Sequence, residues 1–138
     1  MHVGEIMQAD CANGVGIRLS LFVSGCTNRC KGCFNEQTWD FNYGNLWTPE
    51  LEQFFIDTLA KPFYDGMTIL GGEPFEPENQ PAVLDLVRQV RAAYPEKDIW
   101  AYSGYTLEQL QTLAPELLAQ ITVLVDGPFV ESQKDLRL

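Results

Sequence analysis

At 138 residues and 46% hydrophobic content, the chain has the size of one compact domain and can bury roughly two thirds of its unfolded surface without staples. A net charge of −10 and a pI near 4.3 exclude a phosphate-tracking surface, which needs clustered Lys and Arg, so no nucleic-acid partner is expected. No apolar stretch reaches bilayer-spanning length, and Met1-His2-Val3-Gly4-Glu5 lacks the basic and apolar parts of a signal peptide. A cytoplasmic protein without a membrane partner is the expectation.

The first strand signal in chain order is the apolar run Ile17 to Val23. Directly after it comes Cys26-Thr27-Asn28-Arg29-Cys30-Lys31-Gly32-Cys33, three thiols at a three-then-two spacing. In a reducing cytosol such closely spaced thiols suit a metal better than a disulfide. Three thiolates converging on a four-iron cluster leave one coordination position open, and an open position is where chemistry takes place. Thr48-Pro49-Glu50 then supplies an N-cap, a proline at the first helical position and an acidic first turn, followed by Leu51, Phe54, Phe55 and Leu59 as one apolar face.

Met67 to Leu70 reads as the next strand and runs into Gly71-Gly72-Glu73-Pro74. Asn79 to Tyr94 repeats the helical pattern with Val83, Leu84, Val87 and Val90 on one stripe, and Pro95 stops it. Ile99 to Tyr102 reads as a strand ending in Ser103-Gly104-Tyr105, Thr106-Leu107-Glu108-Gln109 spells a capping box leading into Leu110 and Leu113, and Ile121 to Val125 is the last strand, followed by Asp126-Gly127-Pro128. The alternation predicts an α/β fold with right-handed βαβ units around a mainly parallel sheet. A closed eight-unit barrel needs about 200 residues or more. This chain holds four or five units, so an open partial (βα) barrel is expected, with the cysteine loop and every unusual glycine and acid on the rim of C-terminal strand ends. Removing side chains at Gly71 and Gly72 lets the backbone approach a ligand, and strand-end carbonyls can accept hydrogen bonds from a cationic amino group.

The cysteine spacing matches the signature of the radical S-adenosylmethionine (SAM) enzymes. Asp10 through Asn13-Gly14-Val15-Gly16 to Arg18, Leu21-Phe22-Val23-Ser24-Gly25-Cys26, Cys33-Phe34-Asn35, Trp39, Gly71-Gly72-Glu73-Pro74, Ser103-Gly104-Tyr105 and Val125-Asp126-Gly127 together resemble the anaerobic ribonucleoside-triphosphate reductase activating proteins, a family of glycyl-radical activases. The resemblance covers nearly the whole chain. It implies a single radical SAM domain over residues 1–138, with the short further segment that similar proteins carry after Leu138 missing here. It also implies a [4Fe-4S] cluster on Cys26, Cys30 and Cys33, whose remaining iron is chelated by the amino and carboxylate groups of SAM. One electron cleaves the sulfonium bond, and the 5′-deoxyadenosyl radical takes hydrogen from a glycine of the class III ribonucleotide reductase. Such a cleavage needs the low end of the range of roughly −700 to +450 mV open to iron–sulfur centres, hence a low-potential electron donor such as flavodoxin. The cofactor contacts implied are Gly32, Cys33, Phe34, Gly71, Gly72, Glu73, Ser103 and Asp126, and no acid, base or nucleophile of the chain is required. An open barrel admits a protein loop laterally more readily than it encloses a small metabolite.

Other readings stand beside these. Cys11 with the three loop thiols also makes a four-ligand zinc site, although zinc ribbons pair their cysteines two by two. Taken alone, Cys11 reads as a buried small hydrophobe and His2 as a mobile terminal residue. Phe34 packs on adenine or joins the core; Glu73 and Asp126 read as exposed rim carboxylates that touch the cofactor or merely shape turns; Trp39, Trp47 and Trp100 read as packing residues. Activation of another glycyl-radical enzyme, radical chemistry on a small molecule like that of the compact deazapurine-forming enzymes, and a metal-stabilised binding or electron-transfer module are the competing functions.

Anaerobically reconstituted protein is expected to take up about four irons per chain. Replacing Cys26, Cys30 or Cys33 by Ala should abolish SAM cleavage, while Cys11→Ala should leave it intact. Equal loss from all four variants would point instead to a four-cysteine site.

Overall fold

The computed structural model describes residues 1–24 and 45–126. Six strands, β1 (His2–Asp10), β2 (Arg18–Val23), β3 (Asn45–Leu46), β4 (Gly66–Gly71), β5 (Asp98–Tyr102) and β6 (Val123–Val125), form one sheet in the order β3-β1-β2-β4-β5-β6. Strands β2, β4, β5 and β6 pair in parallel, whereas β1 lies antiparallel to both β2 and β3. The parallel strands and their positions agree with the sequence pattern, but β1 has no counterpart in it. Its residues do not alternate, because the strand is broken by register shifts and buries only Val3 and Asp10. His2 is accordingly a paired strand residue opposite Leu46, not a mobile end.

Four helices, α1 (Pro49–Leu59), α2 (Gln80–Ala93), α3 (Leu107–Leu113) and α4 (Pro115–Leu118), occupy the connections. Among the parallel strands, chain order equals spatial order, so every right-handed crossover steps the same way and lays its helix on the same face. That face is the hydrophobic core. Leu19, Leu21, Met67, Ile69 and Ile99 of the sheet are fully buried with Phe55 and Leu59 of α1 and Leu86 and Val90 of α2. The predicted caps form at two helices: Thr48 Oγ1 accepts from Leu51 N at 3.1 Å, and Thr106 with Gln109 makes the reciprocal capping box. Phe54 departs from expectation. The buried stripe of α1 is Phe55, Ile56 and Leu59, and Phe54, about 100° round the helix from Phe55, is exposed. Among the described residues, no helix is long and apolar enough to cross a membrane.

The opposite face of the sheet is polar near the N-terminal ends of the parallel strands. Register places Arg18 beside Gly66 and Gly66 beside Asp98. The Arg18 side chain is completely buried; it donates to Thr68 Oγ1 (2.7 Å), the Val15 carbonyl (2.9 Å) and the Met67 carbonyl (2.7 Å), pairs with Asp98, and stacks 5.3 Å from the Trp100 ring centre. Asp10 accepts from Ala12 N, Asn13 Nδ2 and Ser20 Oγ at 2.6–2.8 Å. Burial raises its pKa, but these hydrogen bonds outweigh that effect and hold it below the ordinary carboxylate value. Gly14 has φ +140°, and a Cβ there would lie 2.6 Å from Arg18 Cδ, so the loop can cross the arginine only without a side chain. The stretch from Asp10 to Arg18 is thus a closure for the base of the sheet, remote from the strand ends that carry the rim.

Arg18→Met should lower the unfolding free energy by about 3 kcal/mol, since it strips donors from buried carbonyls and a buried hydroxyl while Asp98, partly solvated, rehydrates. Urea denaturation measures it. A change below about 1 kcal/mol would show that the guanidinium is not holding the sheet base.

Candidate cofactor site at the strand-end rim

Parallel pairing aligns the C-terminal ends of β2, β4, β5 and β6 at one edge of the sheet, with Val23 beside Gly71 and Tyr102 beside Val125. The structure therefore brings together Gly71, Gly72, Glu73 and Ser103, with Asp126 next along the edge. Gly71 has φ +108°, and a Cβ there would lie 2.7 Å from the Val23 carbonyl oxygen. Its glycine identity is demanded by the approach of β2 to β4. Gly72 N then donates to that same carbonyl at 2.7 Å, which extends the ladder into the turn.

Glu73 is not an exposed rim carboxylate. It is 1% exposed, and it accepts from Ser103 Oγ at 2.8 Å, Gly104 N at 2.7 Å and Phe75 N at 3.2 Å. The carboxylate joins the turn after β4 to the turn after β5. Burial pushes its pKa up to about 7; hydrogen bonds from Gly104, Ser103 and Phe75 oppose this, and the charge of Glu76 adds to it. Ser103 Oγ in turn accepts from Tyr105 N at 3.0 Å, and Tyr105 OH donates to the buried Glu76 at 2.9 Å. Asp126 is exposed, and its Oδ2 accepts from Leu107 N at 2.8 Å in the first turn of α3, so at least one of its oxygens shapes the βα junction.

Cys26, Cys30, Gly32, Cys33 and Phe34, with Trp39, lie outside the described residues, but both flanks of their segment are in place. Ser24 N donates to the His2 carbonyl and Trp47 N to the Met1 carbonyl, each at 2.9 Å. Val3 pairs with Val23 on one side and with Asn45 on the other. The first residues of β1 thus hold the two ends of segment 25–44 on either side of themselves, at the rim. No pattern in the sequence points to this role, because it is carried by backbone groups.

The donor set fits a four-iron cluster, since three thiols leave one coordination position for a cofactor. Cys11 lies at the opposite end of β2 from the rim turns. The thiol is exposed, not buried, and it follows Asp10, which pairs with Arg18 at the start of β2, whereas Ser24 follows the end of that strand. Six strand residues separate those ends by roughly 20 Å. No group of three or more His, Cys, Asp or Glu able to hold a metal occurs among the described residues. Trp47 packs edge-on against Phe55 and Trp100 lies against Arg18, as packing residues do.

A family model described as a 4Fe-4S single cluster domain matches residues 12–138. The chain is similar to the anaerobic ribonucleoside-triphosphate reductase-activating protein of Vibrio cholerae, at 43% identity over 98% of this chain and 88% of that one. It is 40% identical to the protein of that name from Escherichia coli strain K12, over 98% and 89% of the two chains. The corresponding protein of Enterobacteria phage T4 is 38% identical, over 94% of this chain and 81% of its own.

The buried carboxylate has a measurable consequence. Because the folded-state pKa of Glu73, about 7, lies above the ordinary 4.5, the folded protein binds the proton more tightly than the unfolded chain. Its stabilising contribution is complete below about pH 4.5 and is lost as pH rises through 7. Between pH 5 and 8 wild-type stability should fall by on the order of 2 kcal/mol relative to Glu73→Gln, which keeps one of the two accepting oxygens and removes the titration. Parallel urea titrations of the two proteins check this; identical pH profiles would contradict it.

Proposed function

The chain belongs to the family of anaerobic ribonucleoside-triphosphate reductase-activating proteins and carries a 4Fe-4S single cluster domain, and from this premise we propose that it is the radical SAM activase of an anaerobic, class III ribonucleotide reductase. The observation that carries the reading is 40–43% identity to proteins of that name over 98% of the chain. The one-way winding of the parallel strands supports an open partial barrel of the radical SAM type, because helices on one face leave the other face and the rim for ligands.

Cys26, Cys30 and Cys33 would hold a [4Fe-4S] cluster, which when bound would supply the one-electron chemistry for reductive cleavage of SAM and so for radical formation on a glycine of the reductase. The chain's own residues bind and orient. Gly32, Cys33 and Phe34 are assigned to the cofactor on the cluster side, and Gly71 and Gly72 on the β4 side, where backbone carbonyls receive the cationic amino group. Glu73 and Ser103 act by joining the turns after β4 and β5, since their side chains are engaged with each other. Asp126, exposed at the end of β6, is assigned to the polar groups of the nucleoside. The electron comes from a low-potential donor such as flavodoxin, and the setting is the cytoplasm.

Mixed anaerobically with its cognate reductase, SAM and a low-potential reductant, the protein should produce an electron paramagnetic resonance doublet on the reductase. The doublet should vanish when the radical-site glycine of the reductase is changed to alanine, and it should be destroyed by oxygen. If 5′-deoxyadenosine forms without a reductase radical, another glycyl-radical enzyme or a small molecule is the substrate. If none forms, the chain is a binding or electron-transfer module.

A further inference from the structure

Asn79 directly precedes α2, and its own backbone is already helical (φ −93°, ψ −24°), with its N–H donating to the Glu76 carbonyl at 2.8 Å. Its side chain makes no hydrogen bond to the helix. Its amide is turned away from the helix and donates from Nδ2 to two carbonyls, that of Ser24 at 3.0 Å and that of Glu73 at 3.0 Å. All three residues are essentially buried, Asn79 itself at 1% exposure. Ser24 is the last described residue before the cysteine segment, two positions ahead of Cys26; Glu73 closes the glycine turn after β4. One NH2 group therefore ties the end of β2 to the glycine turn after β4.

The choice of residue follows from donor count. Ser, Thr and Asp cap a helix about as well as Asn, but none of them carries two N–H donors on one atom.

We propose that Asn79 is a positioning residue that fixes the end of β2, where the chain enters the cysteine segment, against the glycine turn, and thereby sets the affinity for SAM. The inference rests on the radical SAM reading above. Asn79 touches neither iron nor cofactor in this role; it fixes the Ser24 and Glu73 carbonyls, from which the two binding segments depart. Losing the amide allows the segments to shift independently, and a cofactor that must bind both at once binds more weakly.

The test compares Asn79→Ser, which offers a cap but not two donors, and Asn79→Gln, which keeps the amide on a longer arm, with Arg91→Ala. Arg91 binds the Gln120 carbonyl from the last turn of α2, roughly 18 Å along the helix from Asn79, and serves as a control for general destabilisation. Iron content, melting temperature and the dissociation constant for radiolabelled SAM are measured on anaerobically reconstituted protein. Asn79→Ser should weaken SAM binding at least tenfold and Asn79→Gln at least threefold with iron near the wild-type level, while Arg91→Ala at a comparable melting temperature binds as wild type does. Affinity within twofold of wild type in a folded Asn79 variant overturns the proposal. So does an affinity loss that merely follows melting temperature across all three proteins, or failure of both Asn79 variants to fold, which would assign the residue to stability. Wild-type protein that takes up iron and does not bind SAM fails the functional reading itself, a result visible before any variant is compared.

Discussion

The buried guanidinium of Arg18 is the interaction on which the sheet depends. A charge with no exposed surface is tolerated only when its donors are matched, and here the match comes from two other strands and the preceding loop at once: Thr68 and Met67 of β4, Asp98 of β5 and the Val15 carbonyl. Because these partners are far apart in sequence, the guanidinium forms its full set of bonds in one register of β2, β4 and β5 and in no register shifted by a residue. Register at the base then dictates which residues meet at the top. Val23, Gly71 and the turns that follow them are neighbours because Arg18, Gly66 and Asp98 are.

The two ends of the parallel strands consequently divide the work. The base is closed by the buried Asp10 and Arg18 and the half-buried Asn13, joined by matched hydrogen bonds. The rim is assembled from turns, and turns alone are poorly constrained. Two buried polar groups supply the missing constraint: the Glu73 carboxylate ties the β4 turn to the β5 turn, and the Asn79 amide ties the β4 turn to the end of β2. Backbone hydrogen bonds donated by Ser24 and Trp47 to the His2 and Met1 carbonyls hold the flanks of the cysteine segment. An arrangement of this kind suits a site whose chemistry belongs to a bound cluster and cofactor, since the protein is left to fix distances between binding segments.

Much of the fold was legible because it rests on local patterns. The apolar runs at Ile17 to Val23, Met67 to Leu70 and Ile99 to Tyr102, the proline and threonine at the start of α1 and the capping box at α3 each act within a few residues, and each appears where the pattern puts it. β1 was illegible because its bulged pairing leaves no alternation, and it is held by partners on β2 and β3. Glu73 illustrates the same limit within the site. Glycine, glutamate and proline in a row say that a turn is present, yet whether the carboxylate faces solvent depends on Ser103 and Gly104, about thirty residues further along the chain.

By itself the sequence determined the class of the protein: an α/β chain with thiols spaced for a cluster with one open position, and a near full-length likeness to the activating family to which it belongs. These are properties of spacing and composition, which survive without coordinates. Only the tertiary structure decided that the stretch from Asp10 to Arg18 closes the base, that Cys11 stands at the far end of β2 from the rim, and that the Asn79 amide bridges the carbonyls of Ser24 and Glu73. The reason is physical. Burial and hydrogen-bond partnership are set by which distant segments meet, and parallel strands joined by helical crossovers bring together residues whose local sequence carries no record of one another.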